Sequence, residues 1–148
     1  MFRWLRSRRP PLPEDEIVAS IAPATRQHYR DLDRAAILAR IDRFSLTAVE
    51  GAWAQVCERR KRRPELAPSD PFLERLARES CLAVVNFARH QLSDPHLRRE
   101  RLLAALEQQE RRWQELAAAG DATDQVVLGH ARDEIARQRA RLLAEPPG

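Results

Sequence analysis

The amino-acid sequence predicts an all-α protein, a bundle of five to six helices. Glycine is scarce, with 4 residues in 148, and half of the 10 prolines lie near the termini, so the interior is rich in helix-forming residues. Apolar residues recur with helical spacing through most of the chain. Residues 82–87 contain the β-branched pair Val84 and Val85, but a strand is not expected there because the spacing on both sides is helical and no second strand exists to pair with it.

Length and composition place these helices in one domain. A chain of 148 residues with a hydrophobic share of 43% can bury a core of its own. We expect a single helical domain over residues 14–145, preceded by a basic, proline-rich tail over residues 1–13. No stretch reaches the ~18 apolar residues of a membrane span, and the positive N-terminus lacks the apolar segment of a secretory signal, so we expect a cytoplasmic protein.

The tail interleaves Phe2, Trp4 and Leu5 with arginines, and the prolines that follow favour an extended arm. Two interpretations remain open. The tail is an arm that binds anionic lipid or nucleic acid, or it is a terminus whose Trp4 folds back on the body. A short helix with an acidic first turn is expected over residues 14–22, and Pro23 ends or kinks it.

Two helices are expected between Pro23 and the first internal loop. The first covers residues 24–44, and the segment 45–47 is expected to break it. Thr47 then caps a second helix, with Glu50 three residues later completing a capping box. That helix ends at about residue 62 in a basic run, where cations favourably meet the helix C-terminus.

The central helix is expected over about residues 70–92. Asp70 is predicted as its N-cap and Pro71 as its first helical residue, where the missing N–H costs nothing. Between residues 81 and 88 the only polar side chain is that of Asn86. Because a helix that is apolar on all sides is a buried helix, we expect this one at the centre of the bundle.

A C-terminal antiparallel hairpin of two helices is expected next. Asp94 and Pro95 repeat the Asp-Pro start and open a helix to Ala119, Gly120 is predicted as a C-cap glycine, and the last helix covers residues 124–144. Both helices have narrow apolar stripes and wide charged faces. Narrow stripes suit a coiled-coil-like arm or a dimer seam, and the alternative is that both helices pack side by side on the central helix.

The net charge of +4 arises from two basic patches on a mildly acidic body. Only one basic residue, Lys61, is not arginine, which is typical of a GC-rich bacterial genome and weakens any argument from an individual arginine. The second patch either contacts phosphate, acidic protein or lipid, or is a solvated helix end. The patches comprise Arg3, Arg6, Arg8 and Arg9 in the tail, and Arg59, Arg60, Lys61, Arg62 and Arg63 in the basic run.

The sequence offers no motif for catalysis or cofactor binding. It has no glycine-rich phosphate loop, no nucleophile elbow and no paired-cysteine metal motif. His96 and His130 lack the Glu-x-x-His spacing of helical metal sites. Cys57 and Cys81 lie at apolar helical positions, which predicts reduced, buried thiols. We therefore expect no enzyme activity, no cofactor and no metal site.

These observations predict a non-enzymatic helical interaction protein: a regulator, an adaptor or a chaperone-like subunit. The expected contact surface is the C-terminal hairpin, through exposed flanks of Trp113 and Leu116, and the expected partner is another protein or a second copy of the chain. The alternative is a nucleic-acid-binding protein that uses the basic run 59–63 and the arginines of the tail. A membrane surface is a partner only through the tail.

Overall fold

A computed structural model describes residues 23–146 of the chain, which form helices and no strand. The all-α class is confirmed for this part of the chain. The predicted count of five to six helices does not match the four that are present, and the predicted helix over residues 14–22 and the tail over residues 1–13 lie outside the described residues. The four helices are α1 (Pro23–Arg62), α2 (Pro71–Gln91), α3 (Pro95–Ala117) and α4 (Ala122–Ala144).

Contacts divide the described chain between Ala36 and Ile37. The part before this point is helical from Pro23, and its residues 30–36 are exposed, including Leu32. The part from Ile37 onward holds every core side chain that the structure describes. The expectation of one domain over residues 14–145 stays a prediction.

Helix α1 runs without interruption through Ser45, where the sequence predicted a break. Ser45 is fully buried, and its hydroxyl lies 2.7 Å from the carbonyl oxygen of Asp42 and 2.9 Å from Oε1 of Gln108 on α3. A serine whose hydroxyl donates to the preceding turn stays compatible with the helix interior. Thr47 is exposed within the same helix and caps nothing, so the prediction of two helices here is wrong.

Aspartates cap the starts of the other three helices. Asp70 Oδ1 accepts a hydrogen bond from the Phe72 N–H at 2.9 Å, and Asp94 Oδ1 accepts one from the His96 N–H at 3.0 Å. A proline follows each of these two caps at the first helical position, as predicted. Asp121 caps α4 in the same way, and each cap satisfies backbone donors that a helix start leaves unpaired.

Gly120 lies in the turn between α3 and α4, but it is not the left-handed C-cap that the sequence predicted. The C-cap of α3 is Ala118 in the right-handed helical conformation, and no described glycine has a positive φ. A Cβ atom at Gly120 would overlap the side chain of Asp124, which is itself buried. The position therefore favours glycine because of this close approach, and not because of its backbone conformation.

The core lies where α4 packs against both α2 and α3. Helix α2 contributes fully buried residues such as Leu73 and Val84, yet Leu82 is 37% exposed and Phe87 is only half-buried. The prediction that this helix is buried on all sides is therefore wrong. Its apolar residues continue onto a side that it shares with α1 and that no other described helix covers completely.

Helices α3 and α4 form the predicted antiparallel hairpin. Near the turn, Gln125 Nε2 donates to the Ala117 carbonyl oxygen at 2.9 Å. At the far end, Arg99 Nη1 donates to the Glu145 carbonyl oxygen at 3.2 Å. Both helices also pack on α2, which is the side-by-side alternative rather than a free coiled-coil arm.

Candidate interaction surface

One face of the described structure carries almost no charge, although 32% of the chain is charged. In residues 44–57 of α1 the only charged side chain is that of Glu50, and residues 80–88 of α2 have none. Glu50 is already engaged, because Nε of Arg112 on α3 lies 3.2 Å from its carboxylate. We call the solvent-facing side of these two segments the uncharged face.

A groove of about 310 Å³ opens on the uncharged face between α1 and α2. Its floor consists of side chains that are nearly inaccessible, its walls of half-buried ones and its rim of exposed ones. We call it the α1/α2 groove. Its floor is Ala52, Leu76 and Ser80, its walls are Phe44, Ala48 and Ala83, and its rim is Thr47, Gly51, Gln55 and Glu79.

Helical periodicity brings these residues to one groove. On α1 they recur three or four positions apart from Phe44 to Gln55, which places them on one side of the helix. Most of the α1 residues are small, and a Cβ atom at Gly51 would have no atom within 4 Å. Phe44 packs against Phe87 of α2 with the ring centroids 4.6 Å apart, so an aromatic pair joins the two helices beside the groove.

Glu79 is the only charged side chain that lines the α1/α2 groove. It is exposed, and no cation of the described residues lies within ion-pair distance of its carboxylate. Its neighbour on the same helix, Glu74, differs in this respect, because its carboxylate lies 3.0 Å from Nη1 of Arg78. The rim of an otherwise uncharged groove therefore carries one negative charge that no cation of the described residues pairs with.

Two members of the basic run, Arg59 and Arg60, contact other parts of the fold. Arg60 forms ion pairs with Asp121 and with Asp124, the second at 2.6 Å, and so joins the end of α1 to the start of α4. Arg59 lies 4.3 Å above the ring of Phe72 and 3.8 Å from the carboxylate of Asp70.

The other members of the run face solvent. Lys61 lies 3.8 Å from Glu58, and both side chains are largely exposed. Arg62 and Arg63 are exposed at the end of α1. The tail arginines Arg3, Arg6, Arg8 and Arg9 lie outside the described residues.

Trp113 does not offer the exposed flank that the sequence suggested. It is 1% exposed, and its ring packs edge-on against Trp53 with centroids 6.3 Å apart. Leu116, about one helical turn closer to the hairpin turn, is half-buried against the core. Although the apolar stripe of α3 is narrow, α1, α2 and α4 all contribute to covering it, so these residues belong to the core.

The sequence interpretation missed a buried polar group among three helices. Gln109 on α3 is fully buried, and its Nε2 donates to the carbonyl oxygens of Ser45 at 3.0 Å and Ser80 at 3.2 Å. Its neighbour Gln108 accepts from the Ser45 hydroxyl. The available signal was the position of Gln109 in the apolar stripe of α3, three residues after Leu106.

A buried carboxylate holds α2 to α4. Glu134 is 4% exposed, and its oxygens accept hydrogen bonds from Arg137 at 2.9 Å, from Gln138 at 2.9 Å and from Arg78 of α2 at 3.1 Å. Burial alone would raise the pKa of Glu134, but these hydrogen bonds outweigh it and hold the pKa below its ordinary value. A charge that is paired in this way stabilises the interface between the helices.

A second groove, of about 590 Å³, lies on the hairpin, and charged side chains line much of it. Those charges are already compensated within the protein. Arg111 lies 3.4 Å from Glu107, and Arg139 lies 3.7 Å from Glu110. A ligand would have to compete with these pairs, which makes this groove the weaker candidate for binding.

The groups that could carry out chemistry are scattered over the described residues. Burial, together with the nearby carboxylate of Glu134, raises the pKa of the Cys81 thiol to about 12, while Cys57 is half-buried. His96 is exposed and lies 3.2 Å from Glu100. Within residues 23–146, no group of three or more His, Cys, Asp or Glu side chains is arranged to hold a metal ion. None of the helices described is at once long and apolar enough to span a bilayer.

Comparisons of the chain with protein-family models, with curated proteins and with solved structures find no match. The functional argument therefore depends on the surface of the molecule. Compared with the hairpin groove, the α1/α2 groove has a lining that is uncharged except for Glu79, whose carboxylate pairs with no cation of the described residues.

Proposed function

We propose that this chain is a non-enzymatic interaction protein that binds a protein partner through the uncharged face around the α1/α2 groove. The observation that supports this function is a face nearly free of charge on a chain in which 32% of the residues are charged. The centres of protein–protein interfaces are depleted of charged side chains in the same way. Such a protein would act as a regulator, an adaptor or a chaperone-like subunit.

This proposal moves the contact surface away from the hairpin. Trp113 is in the core, and the charges of the hairpin groove are paired with one another. Leu82, by contrast, is 37% exposed on α2, the helix that forms one wall of the α1/α2 groove. Apolar area that stays exposed next to a recess is a common feature of binding sites on soluble proteins.

The proposal is tested by two glycine-to-arginine variants. Gly51 and Gly129 both lie within helices, and a Cβ atom at either position meets no atom within 4 Å, so both variants should fold. Gly51→Arg places a long, charged side chain at the rim of the groove, whereas Gly129→Arg places the same side chain on α4. The partner is first captured by the wild-type protein, and its affinity for all three proteins is then measured in purified form.

We expect Gly51→Arg to weaken binding by at least about tenfold, because the long side chain would occupy the open space at the groove that the partner fills. Gly129→Arg should bind within about twofold of the wild type, because its arginine remains in solvent when the partner occupies the groove. Equal affinities for the two variants would show that the partner binds elsewhere.

A nucleic-acid-binding role is the second candidate, and it is favoured by the exposure of Arg62 and Arg63. Arg59 and Arg60 are less suited to it, since both already lie next to carboxylates. The double variant Arg62→Gln/Arg63→Gln should then reduce the salt dependence of DNA binding by about one unit of slope for each phosphate that is no longer neutralised. A slope that does not change would reject this role for the basic run.

A further inference from the structure

We infer that the α1/α2 groove receives a single amphipathic helix of about three turns, which presents an apolar stripe to the floor of the groove and a basic side chain to Glu79. This inference rests on the proposed function and specifies the occupant. Three properties of the groove support it: its dimensions, its lining and its charge.

The dimensions fit one helix. The lining residues of α1 extend from Phe44 to Gln55, a length of about 17 Å at the rise of an α-helix. A helix of three turns has about this length, and a volume of about 310 Å³ accommodates the side chains of one stripe of that helix while its backbone lies above the groove. A standard interface between two folded proteins buries about 800 Å² on each partner, several times the area of this groove. A second copy of the chain would have to use surface well beyond it.

The lining of the α1/α2 groove is suited to an apolar stripe on the partner helix. Side chains that recur every three or four residues on a docked helix insert into the groove between two receiving helices. The floor residues Ala52 and Leu76 offer apolar surface, and the open space at Gly51 leaves room for a large side chain of the partner. A strand would leave its backbone donors and acceptors unpaired here, because both walls of the groove are helices.

The negative charge of Glu79 favours a partner helix that carries a positive charge. Glu79 on the rim has no counter-ion among the described residues, and no basic side chain lines the groove. An acidic helix would be repelled by Glu79 and would find no cation in the lining of the groove. A lysine or arginine beside the apolar stripe of the partner would pair with Glu79 at the edge of the contact, where a charge remains partly solvated.

The inference is tested with a displayed library of helix-forming peptides of about four turns, in which one apolar stripe and the positions flanking it are randomised. The full-length chain is the target, and peptides that also bind the Gly51→Arg variant are discarded. The selected peptides should show apolar residues at helical spacing and enrichment of lysine or arginine at one flanking position. A selection that yields no binder sensitive to Gly51→Arg, or binders without basic enrichment, would overturn the inference.

The affinity of the consensus peptide is then measured for two variants of the chain, in each of which one exposed glutamate is replaced by lysine. Glu79→Lys should weaken binding by about fivefold, because attraction at the rim of an interface becomes repulsion. The control is Glu65→Lys, which reverses an exposed glutamate in the loop between α1 and α2, outside the lining of the groove. It should leave the affinity within about twofold of the wild type, and an equal loss in both variants would contradict the pairing with Glu79.

A failure of this inference can be distinguished from a failure of the proposed function. If Gly51→Arg abolishes capture of the natural partner but the library yields no helix, the face is an interaction surface and the helical occupant is wrong. If the wild-type chain is a dimer in solution and Gly51→Arg is a monomer, the occupant is a second copy, which also overturns the inference. If the Gly51→Arg variant binds the natural partner as tightly as the wild type does, the proposed function itself is rejected.

Discussion

Two glycines with opposite surroundings show how much a single methyl group can matter in this protein. A Cβ atom at Gly120 would overlap Asp124, a buried carboxylate held by Arg60, whereas a Cβ atom at Gly51 would meet only open space. We expect Gly120→Ala to lower the free energy of unfolding by about 1–3 kcal/mol through overpacking. Gly51→Ala should raise it by about 0.5–1 kcal/mol, because alanine favours the helix more than glycine does. Urea unfolding of the two variants measures both effects, and a Gly120→Ala protein as stable as the wild type would contradict the close packing.

The two cysteines should differ in reactivity. Burial raises the pKa of the Cys81 thiol to about 12, so almost none of it is thiolate at neutral pH, while Cys57 is half-buried. Iodoacetamide should therefore alkylate Cys57 first, and Cys81 should react only after denaturant is added. Peptide mass spectrometry over a time course measures both rates. Alkylation of Cys81 as fast as that of Cys57 in the folded protein would show that α2 opens far more readily than its packing indicates.

Single residues were predicted best where a local rule determines the structure. The aspartate caps followed from the Asp-Pro pairs at residues 70–71 and 94–95, because a cap depends only on its neighbours in the chain. Gly120 was assigned the wrong role, because its partner Asp124 approaches through the geometry of a turn that spacing alone does not define. Trp113 was expected at the surface, since the width of an apolar stripe does not reveal how many helices cover it.

At the scale of the element, α1 is where the sequence and the structure disagree most clearly, and Thr47 tests the difference. If Thr47 were an N-cap, Thr47→Ala would lower the free energy of unfolding by about 1 kcal/mol. Inside a continuous helix, the same change should be neutral or stabilising by up to about 0.7 kcal/mol, because alanine has the higher helix propensity. Thermal unfolding gives the sign directly, and a clear destabilisation would restore the predicted break.

The break was predicted at residues 45–47 because Thr47 and Glu50 have the spacing of a capping box. Serine can also interrupt a helix by bonding to nearby backbone groups. Ser45 does bond in this way, but it remains in the helix because its hydroxyl and its carbonyl oxygen also meet Gln108 and Gln109 of α3. Those partners lie more than sixty residues away in the chain. Periodicity and propensity describe one helix at a time, so they cannot indicate that a second helix supplies the missing interaction.

At the scale of the whole molecule, the all-α class followed from composition and periodicity, but the candidate site did not. The uncharged stretches on α1 and α2 can be read from the sequence, and the stretch on α2 was taken as a sign of complete burial. The structure differs because Leu82 is exposed and because Ala83 and Phe87, on the side that faces α1, are only half-buried, which leaves the α1/α2 groove open. The relative placement of two helices is a property of packing, and no single helix encodes it.

The stability of the whole bundle should depend on pH through two carboxylates that join different helices. Asp121 accepts a hydrogen bond from the Asp124 N–H and lies beside Arg60, and the pKa of its carboxyl is held below the ordinary value of 3.8. The hydrogen bonds of Glu134 hold its pKa below the ordinary value of 4.5 in spite of burial. A carboxyl whose pKa is lowered by folding stabilises the protein above its unfolded pKa, and this contribution is lost as the pH falls through the folded pKa. The free energy of unfolding should therefore be constant near neutral pH and should decline from about pH 5 downward.

Glu134→Gln isolates one of these contributions. The variant keeps the shape of the side chain but removes its charge, so it should be less stable than the wild type at pH 7 by about 1–3 kcal/mol, the range for hydrogen bonds to a charged group. It should also lose less stability than the wild type between pH 7 and pH 3, because the group that titrates is gone. Glu107→Gln is the matched control, since Glu107 pairs with Arg111 on the surface with its side chain 66% exposed, and its removal should leave the pH profile unchanged. Urea unfolding across this pH range measures all three proteins, and parallel pH profiles for Glu134→Gln and the wild type would show that Glu134 does not link α2 to α4 through its charge.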